Sequence, residues 1–175
     1  MDKALFVIAQ QGFRDEELLD AKAVLDKSLE VHIASLSTGK CVGKLGAIVK
    51  ADLGLEQALA NIASWKAVIF VGGPGVQTLF DNPVALDLAR KAARLPSVKV
   101  LAAICWAPIV LARAGVVDGL KLTAWDDGAG TQYRELKAAG ATIMPQHIMV
   151  DGKLVTADGP RAARDFGKKI AEMLR

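Results

Sequence analysis

The chain has 175 residues, 52% of them apolar and 23% charged, which is enough apolar material for one layered domain over 1–175 and too much for a disordered chain. The net charge of +3 is spread along the chain rather than gathered into a stripe, which excludes an electrostatic footprint for nucleic acid, and no apolar run approaches the roughly 20 residues that span a bilayer. Met1 leads within three residues into a strand-like run without a cleavable-signal pattern, so a cytoplasmic protein without nucleic-acid or membrane partners is expected.

Ala4 to Ala9 is a short continuous apolar run, the pattern of a strand buried on both faces of a parallel sheet. Val31 to Leu36, Ala67 to Val71 and Val98 to Ile104 repeat it. Between these runs lie stretches of helical period, with Leu18, Ala21 and Leu25 on one face, and Val84, Leu86 or Leu88, and Ala92 on another. Strand and helix alternate, so the expected fold is α/β: a flavodoxin-like, doubly wound, mostly parallel sheet with helices on both faces. The Gly-rich segment from Gly39 to Asp52 interrupts the alternation and reads as a small β-hairpin insertion. Beyond Gly115 the pattern gives a strand at Lys121 to Ala124, a helix from Thr131 to Ala139, and two strands around Ile148 and Leu154 that turn at Gly152. A closing amphipathic helix, Arg161 to Leu174, carries Phe166, Ile170 and Leu174 on one face.

The two cysteines, Cys41 and Cys105, have neither metal-site nor disulfide-framework spacing, so reduced thiols are expected and no metal or cofactor is called for. Cys41 lies in the hairpin and reads as a small buried hydrophobe. Cys105 ends a buried strand and opens a helix in VKVLAAICWAP, which puts it at the sheet edge where open α/β folds bind ligands. Free amides at such a turn lower a thiol's pKa and can stabilise an oxyanion. Gly72 and Gly73 follow the preceding strand and either complete that oxyanion site with the Trp106 amide or form a plain turn. In the first loop, Asp15, Glu16 and Glu17 are acids of a helix first turn, and one of them is able to face the cysteine. Trp106 and Trp125 are placed near the sulfur, as walls of an apolar pocket or as ordinary packing residues, with Asp126 and Asp127 next to the second. His32 and His147 both fall in strand-like runs and read as packed or hydrogen-bonded strand residues.

Five segments in order, FRDEELL, GKLGAIVKADL, VGG, AICWAPIVLARAGVVDGLKLTAW and VDGKLVTADGP, resemble the ThiJ/PfpI superfamily, which contains PfpI-type intracellular peptidases and deglycase-like members. The resemblance implies a reactive Cys105 approached by Glu17 and an oxyanion site at Gly73 and the Trp106 amide; Gly72, Trp125 and Asp126 are expected to line the pocket. It also implies a small-molecule substrate and self-association as a homodimer or larger homo-oligomer. The chain departs from the pattern at Ala21, where the family usually has Pro, and at Trp106, where peptidase-like members have the catalytic His. Gln77 replaces their subunit-borne acid, and Trp125 replaces the His of glyoxalase-like members. Without an imidazole and its orienting acid, amide hydrolysis lacks its proton donor. The expected activity is therefore cysteine chemistry on a small electrophile, hydrolase or lyase, with Glu17 as proton shuttle. The alternative is an oxidative-stress sensor that works through Cys105 oxidation without turnover.

Overall fold

The computed structural model describes residues 1–175. It opens with β1 (Lys3–Val7), a short β2 (Gln11–Phe13), α1 (Asp15–Leu25) and β3 (Glu30–Ser35), followed by the hairpin β4 (Gly39–Gly43) and β5 (Ile48–Ala51). Next come β6 (Leu53–Gly54), α2 (Leu55–Ala60), β7 (Trp65–Phe70), α3 (Pro83–Arg94), β8 (Val100–Ile104) and α4 (Pro108–Arg113). The remainder is β9 (Lys121–Leu122), α5 (Thr131–Ala138), β10 (Thr142–Ile143), the hairpin β11 (Ile148–Asp151) and β12 (Leu154–Ala157), and α6 (Ala163–Met173).

The main sheet has seven strands in the order β11-β12-β8-β7-β1-β3-β6. Every neighbouring pair is parallel except β11 with β12. Its centre, β3-β1-β7-β8-β12, is the flavodoxin-like doubly wound order, so the expected fold class is observed. Successive side chains of a strand point to opposite faces, and the core accordingly divides in two. Leu5, Val7, Val68, Phe70, Leu101 and Ala103 face one layer, with α3 and α4. Ala4, Phe6, Ile8, Ala67, Ile69, Ala102 and Ile104 face the other, with α1 and α6. Coverage on both faces explains why these strands read as unbroken apolar runs rather than alternating ones.

Four details differ from the sequence-based reading. The buried stripe of α3 is Ala85, Leu88, Ala89 and Ala92, while Val84 and Leu86 are only partly buried. Leu174 lies just beyond α6 and is likewise partly buried, so Phe166 and Ile170 anchor that helix. Residues Gln11–Phe13, read as loop, pair with β4 and tie the hairpin to the first loop. His147 precedes β11 instead of lying in it, and its side chain is exposed.

The parallel arrangement places the C-terminal ends of β1, β7 and β8 side by side. The order reverses around β1, so the crevice beyond these ends is where ligands bind in doubly wound sheets. The candidate residues converge there. No helix of the chain is long and apolar enough to cross a membrane.

Candidate active site

Three consecutive acids open α1, and each meets a different partner. A helix turns about 100° per residue, so neighbours in sequence cannot share a direction. Asp15 accepts hydrogen bonds from the amides of Leu45 and Ala47, both 2.8 Å, and holds the tip of the β4–β5 hairpin. Glu16 faces outward and takes the Arg14 guanidinium at 2.8 and 3.2 Å. Glu17 turns inward, is fully buried, and accepts the Gly72 amide at 2.8 Å through Oε2.

The partner of Glu17 at the sheet edge is Cys105. Its backbone has φ of 65°, the only positive φ outside glycine. That left-handed bend costs a residue with a side chain about 1–2 kcal/mol and is over-determined by its neighbours. The Cys105 amide donates to the Ala157 carbonyl at 2.8 Å, and its own carbonyl accepts the Trp125 amide at 2.8 Å. Both sides of the bend are therefore pinned. The side chain is turned off the strand axis into the crevice, where 9% of the residue remains exposed.

The two glycines after β7 are shaped by this contact. A Cβ at Gly72 would stand 2.8 Å from Glu17 Oε2, 2.8 Å from the Ile104 carbonyl and 2.9 Å from the Cys105 Cβ, so only glycine lets the acid and the cysteine meet. Gly73 has φ of 96°, and a side chain there would strike the backbone of Gly12, Phe13 and Arg14. The amides of Gly73 and Trp106 both interact with the sulfur and favour its charged form.

Burial pushes the Glu17 carboxyl up to about 8, against the opposing pull of the Cys105 thiol and the Gly72 amide. Burial and the nearby Glu17 charge likewise push the Cys105 thiol up, and the Gly73 and Trp106 amides offset this only in part. The thiol is thus not lowered simply by standing at a helix start, as the sequence suggested. Its state depends on where the proton of the pair resides. With Glu17 ionised, a thiolate beside it is strongly disfavoured; with Glu17 protonated, that repulsion vanishes and the carboxyl becomes a donor to sulfur. The second carboxylate oxygen, Oε1, is buried and has no oriented hydrogen-bond partner. Such an oxygen is costly unless it carries a proton or serves a ligand.

The aromatic residues fall into two roles. Trp106 is half-buried and packs edge-on to Phe80 with ring centres 5.8 Å apart, and against Trp125 at 5.5 Å. Trp125 is 37% exposed and forms part of the wall of a cavity of about 490 Å³. Asp126 and Asp127 do not turn toward the sulfur. Asp126 accepts the amides of Gly128, Gly130 and Tyr133, and Asp127 those of Ala129 and Thr131, so both carboxylates are spent on the turn that starts α5. Gln77 is exposed and bonds to the Pro74 carbonyl. Cys41 is fully buried, with its thiol against the Gly39 carbonyl. The sequence reading missed the work of Asp15, and it did not foresee the partner of His147, whose Nδ1 meets the Asp158 carboxylate at 2.7 Å beside Trp125. A spacing of eleven residues across a hairpin carries no local signal for that pair.

A doubly wound sheet with a cysteine on a left-handed strand-to-helix bend and a buried glutamic acid against it defines a narrow class of α/β proteins. The chain belongs to the DJ-1/PfpI family, whose model matches residues 2–173. It is 36% identical over 174 residues to protein MJ0967 of Methanocaldococcus jannaschii, covering 98% of this chain and 82% of that one. It is 29% identical over 178 residues to the deglycase PfpI of Pyrococcus furiosus, with 99% of each chain covered. A ThiJ/PfpI domain protein from Brachyspira murdochii superposes with a TM-score of 0.91 at 28% identity, covering 98% of this chain and 95% of the other.

Proposed function

We propose that the protein is a cysteine-dependent enzyme that acts on a small electrophilic carbon, with Cys105 as nucleophile and Glu17 as proton shuttle. The observation that carries the reading is the buried Glu17 carboxyl, fixed by the Gly72 amide at 2.8 Å and held against Cys105. With an aldehyde the step balances as follows: the sulfur forms a bond to the carbonyl carbon, the C=O π pair moves to oxygen, and the proton of the Cys105–Glu17 pair passes to that oxygen. The product is a hemithioacetal. The Gly73 and Trp106 amides, which face the sulfur, are positioned to receive the developing oxyanion. A relative named a deglycase supports carbonyl chemistry of this kind. Peptide hydrolysis is not part of the proposal, because Trp106 occupies the position next to the cysteine and packs against Phe80 rather than supplying a base. Turnover of a panel of small aldehydes, ketoaldehydes, isonitriles and activated esters by the wild type and the Cys105→Ala variant tests the reading. Undiminished turnover in the variant removes it.

A second reading is favoured by one observation. Glu17 Oε1 is buried without an oriented partner, and an oxygen added to the neighbouring sulfur would give it one. As an oxidative sensor, the Cys105 thiolate would take one oxygen from each of two peroxide molecules, releasing two waters and ending as a sulfinate that shares the Glu17 proton. Mass spectrometry after mild peroxide treatment tests it: addition of two oxygens confined to Cys105 supports the sensor, and prior oxidation of Cys41 counts against it. Self-association into a homodimer or a larger ring belongs to the same proposal by family resemblance, and sedimentation equilibrium tests it.

A further inference from the structure

The backbone of Cys105 is bracketed by two residues that border one cavity. Trp125, whose amide donates to the Cys105 carbonyl, lines it, and so does Asp158, which follows the Ala157 that accepts the Cys105 amide. The cavity measures about 490 Å³, and Ile148, Pro160 and the Trp125 ring supply its apolar wall. That volume suits a ligand of ten or more non-hydrogen atoms. Its polar groups are not equally free. Asp158 is held by the His147 imidazole at 2.7 Å, and Asp165 by the Lys168 ammonium at 2.8 Å. Arg161 is exposed, lines the same cavity and enters none of its ion pairs. The His147 ring meets Asp158 through Nδ1, which leaves Nε2 unengaged. The unspent groups are thus a guanidinium and one imidazole nitrogen, in a cavity that Trp125 also lines.

The geometry points to this cavity as a subsite for an anionic tail, a carboxylate on a flat or aromatic substrate whose electrophilic carbon reaches Cys105, with Arg161 as its charged anchor. The assignment rests on the Cys105 reading for the reacting end only. Guanidinium pairs with carboxylate through two parallel hydrogen bonds, and the ring stacks on Trp125.

A matched pair of probes separates the two ends: 4-formylbenzoate and the neutral benzaldehyde, titrated by calorimetry or tryptophan fluorescence into the wild type, Arg161→Ala and Cys105→Ala. The wild type should bind the carboxylated aldehyde about tenfold more tightly, the ratio that one charge-assisted contact gives. Arg161→Ala should bring the ratio close to one and leave benzaldehyde affinity as it was. Cys105→Ala should weaken both aldehydes, since the hemithioacetal is lost, while keeping their ratio. A wild-type ratio near one, or a ratio that survives Arg161→Ala, overturns the subsite. Unchanged affinities in Cys105→Ala, with the ratio intact, instead overturn the nucleophile and leave the subsite standing.

Discussion

The two cysteines of this chain are both buried, and both thiols are pushed up by burial, yet only one has the makings of a reactive group. Cys41 sits in an antiparallel ladder opposite Val49, with its thiol against a backbone carbonyl. Cys105 sits on the one left-handed non-glycine residue, next to a fully buried acid and two glycines at which any side chain would crowd the site. Burial by itself therefore says little about reactivity. What separates the two is whether the surroundings offer the sulfur a proton partner and donors for charge.

The sharpest way to break the comparison is to remove each thiol in turn. Cys105→Ala should lower turnover at least about a thousandfold, whereas Cys41→Ala should leave it within about twofold, measured as kcat/KM on any substrate the wild type accepts. Equal losses would mean that the fold rather than the site was being measured.

Replacing the proton partner comes next. Glu17→Gln keeps a group able to donate to sulfur but removes the exchangeable acid, and kcat should fall about a hundredfold. In the wild type, kcat/KM should decline as pH rises through about 8, where the buried Glu17 carboxyl loses its proton; the variant should lack that limb. The same acid sets a stability slope. Between its ordinary 4.5 and about 8, the folded chain keeps a proton that the unfolded chain has released, so unfolding free energy falls as pH rises across that window. The loss is on the order of a few kcal/mol, and Glu17→Gln should flatten it in urea titrations.

The smallest of these effects belongs to the gap between acid and sulfur. Gly72→Ala places a methyl group between Glu17 and Cys105, which should cost about 1–3 kcal/mol of stability by overpacking. It should also lower kcat more than it raises KM. The matching change at a hairpin position beside Cys41, Val49→Ala, should leave kinetics unaltered.

Much of the fold was legible because its strands are covered on both sides and therefore announce themselves as apolar runs of five or six residues. The stripe of α3 was misread for a physical reason: its buried face is mostly alanine, which contrasts weakly with its surroundings, while the larger Val84 and Leu86 draw the eye to the wrong side. The six-residue α2 is too short for its period to register. At the site, the bend at Cys105 and the glycines after β7 were visible as local patterns. Family resemblance, rather than helical period, chose Glu17 over its two neighbours. That Asp126 and Asp127 are engaged by the backbone amides of the turn that starts α5 was not legible, because such capping is a property of amides that the side-chain sequence does not display. The direction of the thiol's shift also required the structure, since desolvation outweighs any helix-end effect.

The left-handed backbone at position 105 carries a consequence for the chain's evolution. A glycine there would relax the bend at no steric cost and should raise the melting temperature by a few degrees, while leaving a protein without its thiol. Random drift that rewards robustness alone would erase this residue first. Its persistence in any lineage is thus a sign of selection for chemistry, and a thermal-shift comparison of Cys105→Gly with Cys105→Ala measures how hard that selection must push.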